Sequence, residues 1–273
     1  MRVIKDIHEL IEIRKNLHGK VGFVPTMGAL HKGHLSLIEQ SKKQNDVTIV
    51  SIFVNPTQFL EGEDFEKYPR KDVADMDICK RMDVDILFMP NHKDIYFEDE
   101  VCIKAPKNKS YILEGYKRPT HFDGVLRVVL KLFHLIKPNV AYFGKKDAQQ
   151  LYLIKKMVLD LFLDIKIVAV DTVREESGLA LSSRNEYLSH EDRKKALLIS
   201  ESLKHCAKSI MKGIFRVDIL KAEMFDILKP LDIEYVEFVD RDFNTIESVQ
   251  KQNSIVLVAV KVGTTRLIDN LWI

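Results

Sequence analysis

Short continuous apolar runs and helically spaced apolar positions alternate along the chain as far as Val170. Ile7, Leu10, Ile11 and Leu17 predict a first helix over residues 6–17. Lys20 to Val24 reads as a short strand that runs into Pro25 and Gly28, after which Leu35, Leu37 and Ile38 open a helix reaching about Gln44. Val47 to Val54 is nearly continuous and β-branched; without polar alternation it predicts a strand covered on both faces, as in a parallel sheet. Pro56 has no N–H and cannot continue a central strand. Residues 72–82 predict a helix, and Val84 to Met89 a strand stopped at Pro90. Residues 91–124 are polar and aperiodic, with Pro106 and Pro119, and predict an irregular functional region. Val125, Leu126, Val128, Val129, Leu132, Phe133 and Ile136 then follow helical spacing up to Pro138. Val140 to Phe143 predicts a strand, Leu151 to Leu161 a helix and Ile165 to Val170 a strand.

This alternation predicts an α/β fold: a Rossmann-like, doubly wound parallel sheet over residues 1–184. Beyond it the texture changes. Ser189-His190-Glu191-Asp192 resembles a capping box before a long helix through Met211, and Val217 to Leu228 predicts another helix. Strands near Ile233–Val239, Ile255–Val260 and Thr265–Asp269 complete a smaller C-terminal α+β domain over residues 185–273.

Charge narrows the function. The 273 residues carry 42 Lys+Arg against 40 Asp+Glu, a net +2, which argues against a dedicated nucleic-acid or membrane-surface binder. Cys79, Cys102 and Cys206 are scattered and make neither a disulfide framework nor a cysteine zinc site, so buried free thiols are expected. There is no apolar run of transmembrane length and no signal-peptide core at the start, so the expected location is cytoplasmic.

In doubly wound sheets ligands bind beyond the carboxyl ends of the strands, and the chemistry-bearing residues cluster there. Met27, Gly28, Ala29, Leu30, His31, Lys32, Gly33 and His34 form a strand–turn–helix junction, where main-chain N–H groups and the helix dipole favour an anion. His31 and His34 sit three apart, so if helical they share a face, and they could stabilise developing negative charge. A zinc reading lacks a third ligand and HExxH, and the dinucleotide fingerprint GxGxxG is missing. Asn55 and Gln58 follow a buried strand and either bind a small polar substrate or cap a turn. Gly144, Lys145, Lys146 and Asp147 make a second strand-to-helix turn, where Lys146 could meet a phosphate and Asp147 a ribose hydroxyl or a metal; two adjacent lysines can also be surface charge. Ser182, Ser183 and Arg184 either clamp phosphate or form a solvated linker, and Gly178 gives that loop freedom to close. Arg118 and His121 lie in the irregular stretch, where a lone Arg is ordinarily solvated.

The blocks PTMGALHKGH, FVNPTQF, RPTHFDGV, FGKKDAQQ and GLALSSRN occur in this order and spacing in the pantothenate synthetases (pantoate–β-alanine ligases), which the chain resembles. The likeness extends from the first helix to about Asn185, and Thr265 to Asn270 matches as well. The HxGH element alone is less specific, since it marks a wider nucleotidyltransferase superfamily that includes class I aminoacyl-tRNA synthetases. The resemblance implies ATP and Mg²⁺, a pantoyl adenylate formed with release of pyrophosphate, then attack by β-alanine with release of AMP. It implies that Met27 to His34 line the ATP site, with His34 as general acid and His31 on phosphate beside it. Gln58 and Gln150 would hold pantoate. Gly144, Lys145, Lys146 and Asp147 would take ribose and phosphates, Val173 the adenine edge, and Leu181, Ser182, Ser183 and Arg184 the polyphosphate. Arg118 and His121 would line the site, Asp72 or Asp75 would help place Mg²⁺, and the protein would be a homodimer. Lys145, Ser177 and Arg127 depart from the residues usual in that family. The alternatives are a different HxGH nucleotidyltransferase, which need not carry FVNPTQF and RPTHF, and an RNA-binding synthetase-like module, which the near-neutral charge disfavours.

Overall fold

A computed structural model describes residues 1–273, and they fold as two compact units. The first comprises Met1–Lys145 and Gln149–Asp171, the second Lys146–Ala148 and Thr172–Ile273.

The elements of the first stretch are β1 (Arg2–Ile4), α1 (Ile7–Asn16), β2 (Val21–Thr26), α2 (Lys32–Gln44), β3 (Val47–Ile52), α3 (Asp72–Arg81), β4 (Ile86–Phe88), α4 (His92–Ile95), α5 (Lys107–Ser110), α6 (Glu114–Lys117), α7 (His121–Ile136), β5 (Val140–Gly144), α8 (Ala148–Asp160) and β6 (Lys166–Val170). Six parallel strands lie in the order β1-β4-β3-β2-β5-β6. From β2 the chain lays β3 and β4 to one side and β5 and β6 to the other, so the strand order reverses there, the switch point at which such sheets bind ligands. The continuous apolar run of β3 has its physical reason in burial: Ile49 and Val50 are fully enclosed, and Val50 packs with Val24, Ile38, Leu87 and Tyr142. Each such side chain contributes roughly 1.5–3 kcal/mol relative to exposure.

Three local expectations change. β1, only three residues with two exposed, pairs at the edge with β4 and carries no periodic signal. Residues 91–124 are not wholly irregular but contain α4, α5 and α6, each four residues long, and α7 starts at His121 rather than Val125. β2 also runs through Pro25 to Thr26, a proline in a central strand. The ladder shows why this is tolerated. Val21 bonds Asn139 on the β5 side, so Phe23 and Pro25 face that side too, and pairing with β5 has ended at Phe23↔Ala141 while pairing with β3 continues to Thr26↔Ile52.

The second unit contains a hairpin about residues 173–181, a 3-10 turn over Ser183–Tyr187, α9 (His190–Met211), α10 (Val217–Leu228), and the antiparallel sheet β7 (Asp232–Asp240), β8 (Ser254–Val262), β9 (Thr265–Trp272). Ser189 caps α9, its hydroxyl accepting the Asp192 N–H at 3.1 Å, as the sequence predicts. Leu203, Cys206, Leu220, Met224, Phe238 and Val256 build its core. Burial pushes the Cys79 and Cys206 thiols up to about 12, so both are inert; Cys102, against expectation, is exposed. No helix is long and apolar enough to cross a membrane.

Candidate active site

The loop after β2 is assembled from its own side chains and one from α3. The Thr26 hydroxyl donates to Ser51 O at 2.8 Å and accepts the Gly28 N–H at 3.2 Å. Gly28 turns the chain with φ +85° and Ala29 follows in the left-handed region at +49°. Asp75 reaches in from α3, 1% exposed, and its two oxygens accept the Ala29 and Leu30 N–H groups, each at 2.8 Å. Burial pushes the Asp75 carboxyl up, while these two bonds draw it down.

At the start of α2 the two histidines cap each other's main chain. His31 Nδ1 accepts the Gly33 N–H at 3.1 Å, and His34 Nδ1 accepts the His31 N–H at 3.2 Å, with the rings 4.1 Å apart. An accepting Nδ1 leaves the proton of each neutral ring on Nε2. Glycine at 33 makes room for this contact, because a Cβ there would sit 2.9 Å from His31 Cε1 and the ring would have to shift. The expectation that main-chain N–H groups of this turn would face an anion is corrected. Those of Gly28, Ala29, Leu30, His31, Gly33 and His34 already donate within the protein. What the junction presents to an anion is the positive end of α2 and two imidazoles.

Gln58 stands against this loop. Its Nε2 donates to Met27 Sδ at 3.0 Å and its Oε1 accepts from Asn55 Nδ2 at 3.1 Å. Asn55 is buried and caps the 3-10 turn Pro56–Gln58: its Oδ1 accepts from the Tyr96 hydroxyl at 2.5 Å and the Thr57 hydroxyl at 3.0 Å, while Nδ2 also reaches Gly124 O at 3.1 Å. Gly124 lets α7 press on this turn, since a Cβ would come within 2.1 Å of Thr57 O. Asn55 is therefore the turn-forming residue, the blander of its two readings.

Arg118 and His121, expected to line the site, both hold protein groups. Arg118 makes two 2.6 Å bonds to Glu63 and donates to Gln58 O at 3.2 Å; His121 Nδ1 lies 2.7 Å from the same oxygen. Burial, then the Arg118 charge, lower the His121 pKa to about 4. Burial works against the Glu63 carboxylate, yet the bonds and charge of Arg118 hold it below its usual range.

At the second strand-to-helix turn Gly144 ends β5, and Lys145 donates its N–H to Val170 O at 2.8 Å and its Nζ to Asp171 at 2.5 Å. Gln149 is consumed structurally: its amide donates to Lys109 O and Ile112 O, both at 2.9 Å, and accepts the Glu114 N–H at 3.1 Å. Its neighbour Gln150 is partly exposed. Arg127 faces Glu100 at 3.6 Å and Cys102 Sγ at 3.0 Å, so this departure has its own partners.

The remaining expected residues lie in the second unit. Lys146 O accepts from Asn270 Nδ2 at 2.7 Å, and Lys146 Nζ lies 3.5 Å from Asp147. Val173 and Leu181 face each other across the hairpin, the Leu181 N–H donating to Val173 O at 3.0 Å. Arg174 fixes that hairpin through buried Asp269 at 2.6 and 2.9 Å and through Gly178 O at 3.2 Å. Ser182 caps the next turn, its hydroxyl accepting the Arg184 N–H at 3.3 Å, and Asn185 Nδ2 donates to Ala180 O at 3.0 Å. Ser177 Oγ lies 3.4 Å from Glu175 Oε2 at the hairpin tip. Asp269, through Arg174 and Gly178 O, thus ties the TRLIDN block to GLALSSRN, and Asn270 ties it to Lys146 of FGKKDAQQ, pairings that adjacency along the chain does not reveal.

No group of three or more His, Cys, Asp or Glu side chains could cage a metal ion. Asp75, considered for Mg²⁺ on sequence grounds, has both oxygens engaged by main-chain N–H groups; Asp72 lies exposed in the first turn of α3.

Fold and site together define an α/β protein whose candidate ligand-binding groups include those beyond the carboxyl ends of central parallel strands. The chain belongs to the pantoate-beta-alanine ligase family, whose model matches residues 2–272. Over 273 residues and the full length of both chains it is 57% identical to the pantothenate synthetase of Aliarcobacter butzleri and 53% to that of Sulfurimonas denitrificans. Among solved structures, the pantothenate synthetase of Thermus thermophilus is 39% identical, with a TM-score of 0.94, covering 100% of this chain and 99% of that one. The pantoate-beta-alanine ligase of Francisella tularensis, complexed with beta-gamma ATP and beta-alanine, is 40% identical, with a TM-score of 0.82 and coverage of 100% and 97%.

Proposed function

We propose that the enzyme joins pantoate to β-alanine in two steps, first forming pantoyl adenylate from ATP with release of pyrophosphate, then amide with release of AMP. The observation that carries this reading is the Gln58 amide held 3.0 Å from Met27, the first residue of the histidine-bearing loop. An amide able to hold an acid thus stands beside groups able to meet a triphosphate. A carboxylate is a poor acyl donor and its mixed anhydride with AMP a good one, so positioning and charge stabilisation carry the chemistry.

In this reading the Nε2–H groups of His31 and His34 donate to phosphate oxygens, His34 as general acid, and Gln58 and Gln150 hold pantoate. Gly144, Lys145, Lys146 and Asp147 serve ribose and phosphates. Val173 serves adenine, and Leu181, Ser182, Ser183 and Arg184 the polyphosphate. Mg²⁺ would come bound to the triphosphate, as is usual for an ion held by phosphates with few protein ligands, and would offset the phosphate charge. The protein is a cytoplasmic homodimer in the same reading, which sedimentation checks. The deciding assay is ATP–pyrophosphate exchange. It is expected to require pantoate and not β-alanine, with AMP appearing only when both are present; exchange without pantoate, or none at all, would sink the reading.

A further inference from the structure

His121 opens α7 with a buried ring and takes no part in the chemistry above. Its Nδ1 lies 2.7 Å from Gln58 O, 63 residues away in sequence. A carbonyl oxygen can only accept, so Nδ1 carries a proton and donates. Arg118 Nη1 lies 3.2 Å from Nε2, and a guanidinium can only donate, so Nε2 accepts and carries none. Two partners of opposite kind specify one neutral tautomer. Arg118 is itself fixed by Glu63 and sends a second donor to Gln58 O at 3.2 Å. The charged groups that bear on the ring are therefore Arg118 before α7, Glu63 in the turn after Gln58, and Glu114 in α6. The main chain of Gln58 takes two donors, while its amide is held between Asn55 and Met27.

We propose that His121 is a positioning residue for the acid substrate: its Nδ1–H ring holds the Gln58 main chain so that the Gln58 amide meets pantoate. The role runs through Gln58, without contact between ring and substrate, and rests on Gln58 binding pantoate as proposed above. The nucleotide loop has a separate anchor in Asp75, so the effect is selective for the acid.

The test compares His121→Ala with His121→Asn, whose amide Nδ2–H can take the place of Nδ1–H. Alanine is expected to raise the KM for pantoate about ten-fold, the loss of one such bond, while kcat and the KM for ATP stay within about two-fold. Asparagine is expected to restore most of the pantoate affinity. A pantoate KM unchanged in the alanine variant, KM values for pantoate and ATP that rise together, or no rescue by asparagine would each overturn the proposal. Should the alanine variant fail to fold, ¹⁵N spectra of the wild-type histidines decide, with His121→Asn assigning the signal. A neutral ring protonated at Nδ1 between pH 6 and 8 is expected, and an Nε2–H ring or an imidazolium overturns it. Wild-type enzyme lacking pantoate-dependent exchange would overturn the functional reading and the substrate half of this proposal together, a result seen before any variant is made.

Discussion

The loops that leave the two neighbouring strands β2 and β3 are held by opposite devices. After β2, one buried carboxylate, Asp75, takes two consecutive main-chain N–H groups on its two oxygens. After β3, the turn carrying Gln58 is held by many separate contacts: Tyr96, Thr57 and Gly124 O on Asn55, and His121 with Arg118 on Gln58 O. Beyond the local bonds of Thr26, His31 and His34, the first relies on one charged side chain from outside the loop; the second spreads its hold over several groups, a neutral bond of this kind contributing about 1 kcal/mol. The histidine loop should therefore be most sensitive at Asp75, and the Gln58 turn should degrade by steps.

The largest effect is expected from Asp75→Ala. It leaves the Ala29 and Leu30 N–H groups buried without an acceptor, at about 1–3 kcal/mol each, so urea denaturation should show a loss of about 4 kcal/mol. The KM for ATP should rise more than that for pantoate. A loss below about 1 kcal/mol would mean that the loop is held by something other than this carboxylate.

Acid should single out the other region. The folded-state pKa of His121 is about 4 against an ordinary 6.5, so between these values the unfolded chain binds a proton that the native ring refuses. Stability contributed by the neutral ring is complete above pH 6.5 and is lost as pH falls toward 4. The difference corresponds to about 3 kcal/mol for this one group. His121→Asn has nothing to titrate there, so its stability should fall less over the same interval. Parallel pH–stability curves for the two proteins would contradict the assigned environment of the ring.

The same contrast explains how far the sequence could be read. Strand, turn and helix at Val24, Gly28 and Leu35 are local, and so is the His31–His34 spacing; propensity and pattern suffice for these. The anchor of that loop is not local, because the Asp75 carboxylate meets N–H groups 45 and 46 residues earlier. Read alone, Asp75 is an acid in the first turn of a helix, and a metal role is as natural as an anchoring one. Residues 91–124 show the opposite failure. α4, α5 and α6 are too short to display periodicity and are fastened by tertiary bonds such as those of Gln149 to Lys109 O, Ile112 O and Glu114 N. Glu63, the partner of Arg118, gives no signal in the chain at all, since only folding brings the two within 2.6 Å.

The smallest effect tests whether the Gln58 turn is as distributed as its bonds suggest. Tyr96→Phe removes the 2.5 Å donor to Asn55 Oδ1 but leaves that oxygen with the Thr57 hydroxyl, and leaves Asn55 Nδ2 on both Gln58 Oε1 and Gly124 O. The ring also stays to pack against Phe53, 6.2 Å away. The acceptor keeps a partner, so the substitution should cost about 1 kcal/mol or less in urea denaturation, with the KM for pantoate raised less than about three-fold. Were Tyr96→Phe to cost as much as Asp75→Ala, the Gln58 turn would depend on a single bond like its neighbour, and the contrast between the two loops would be lost.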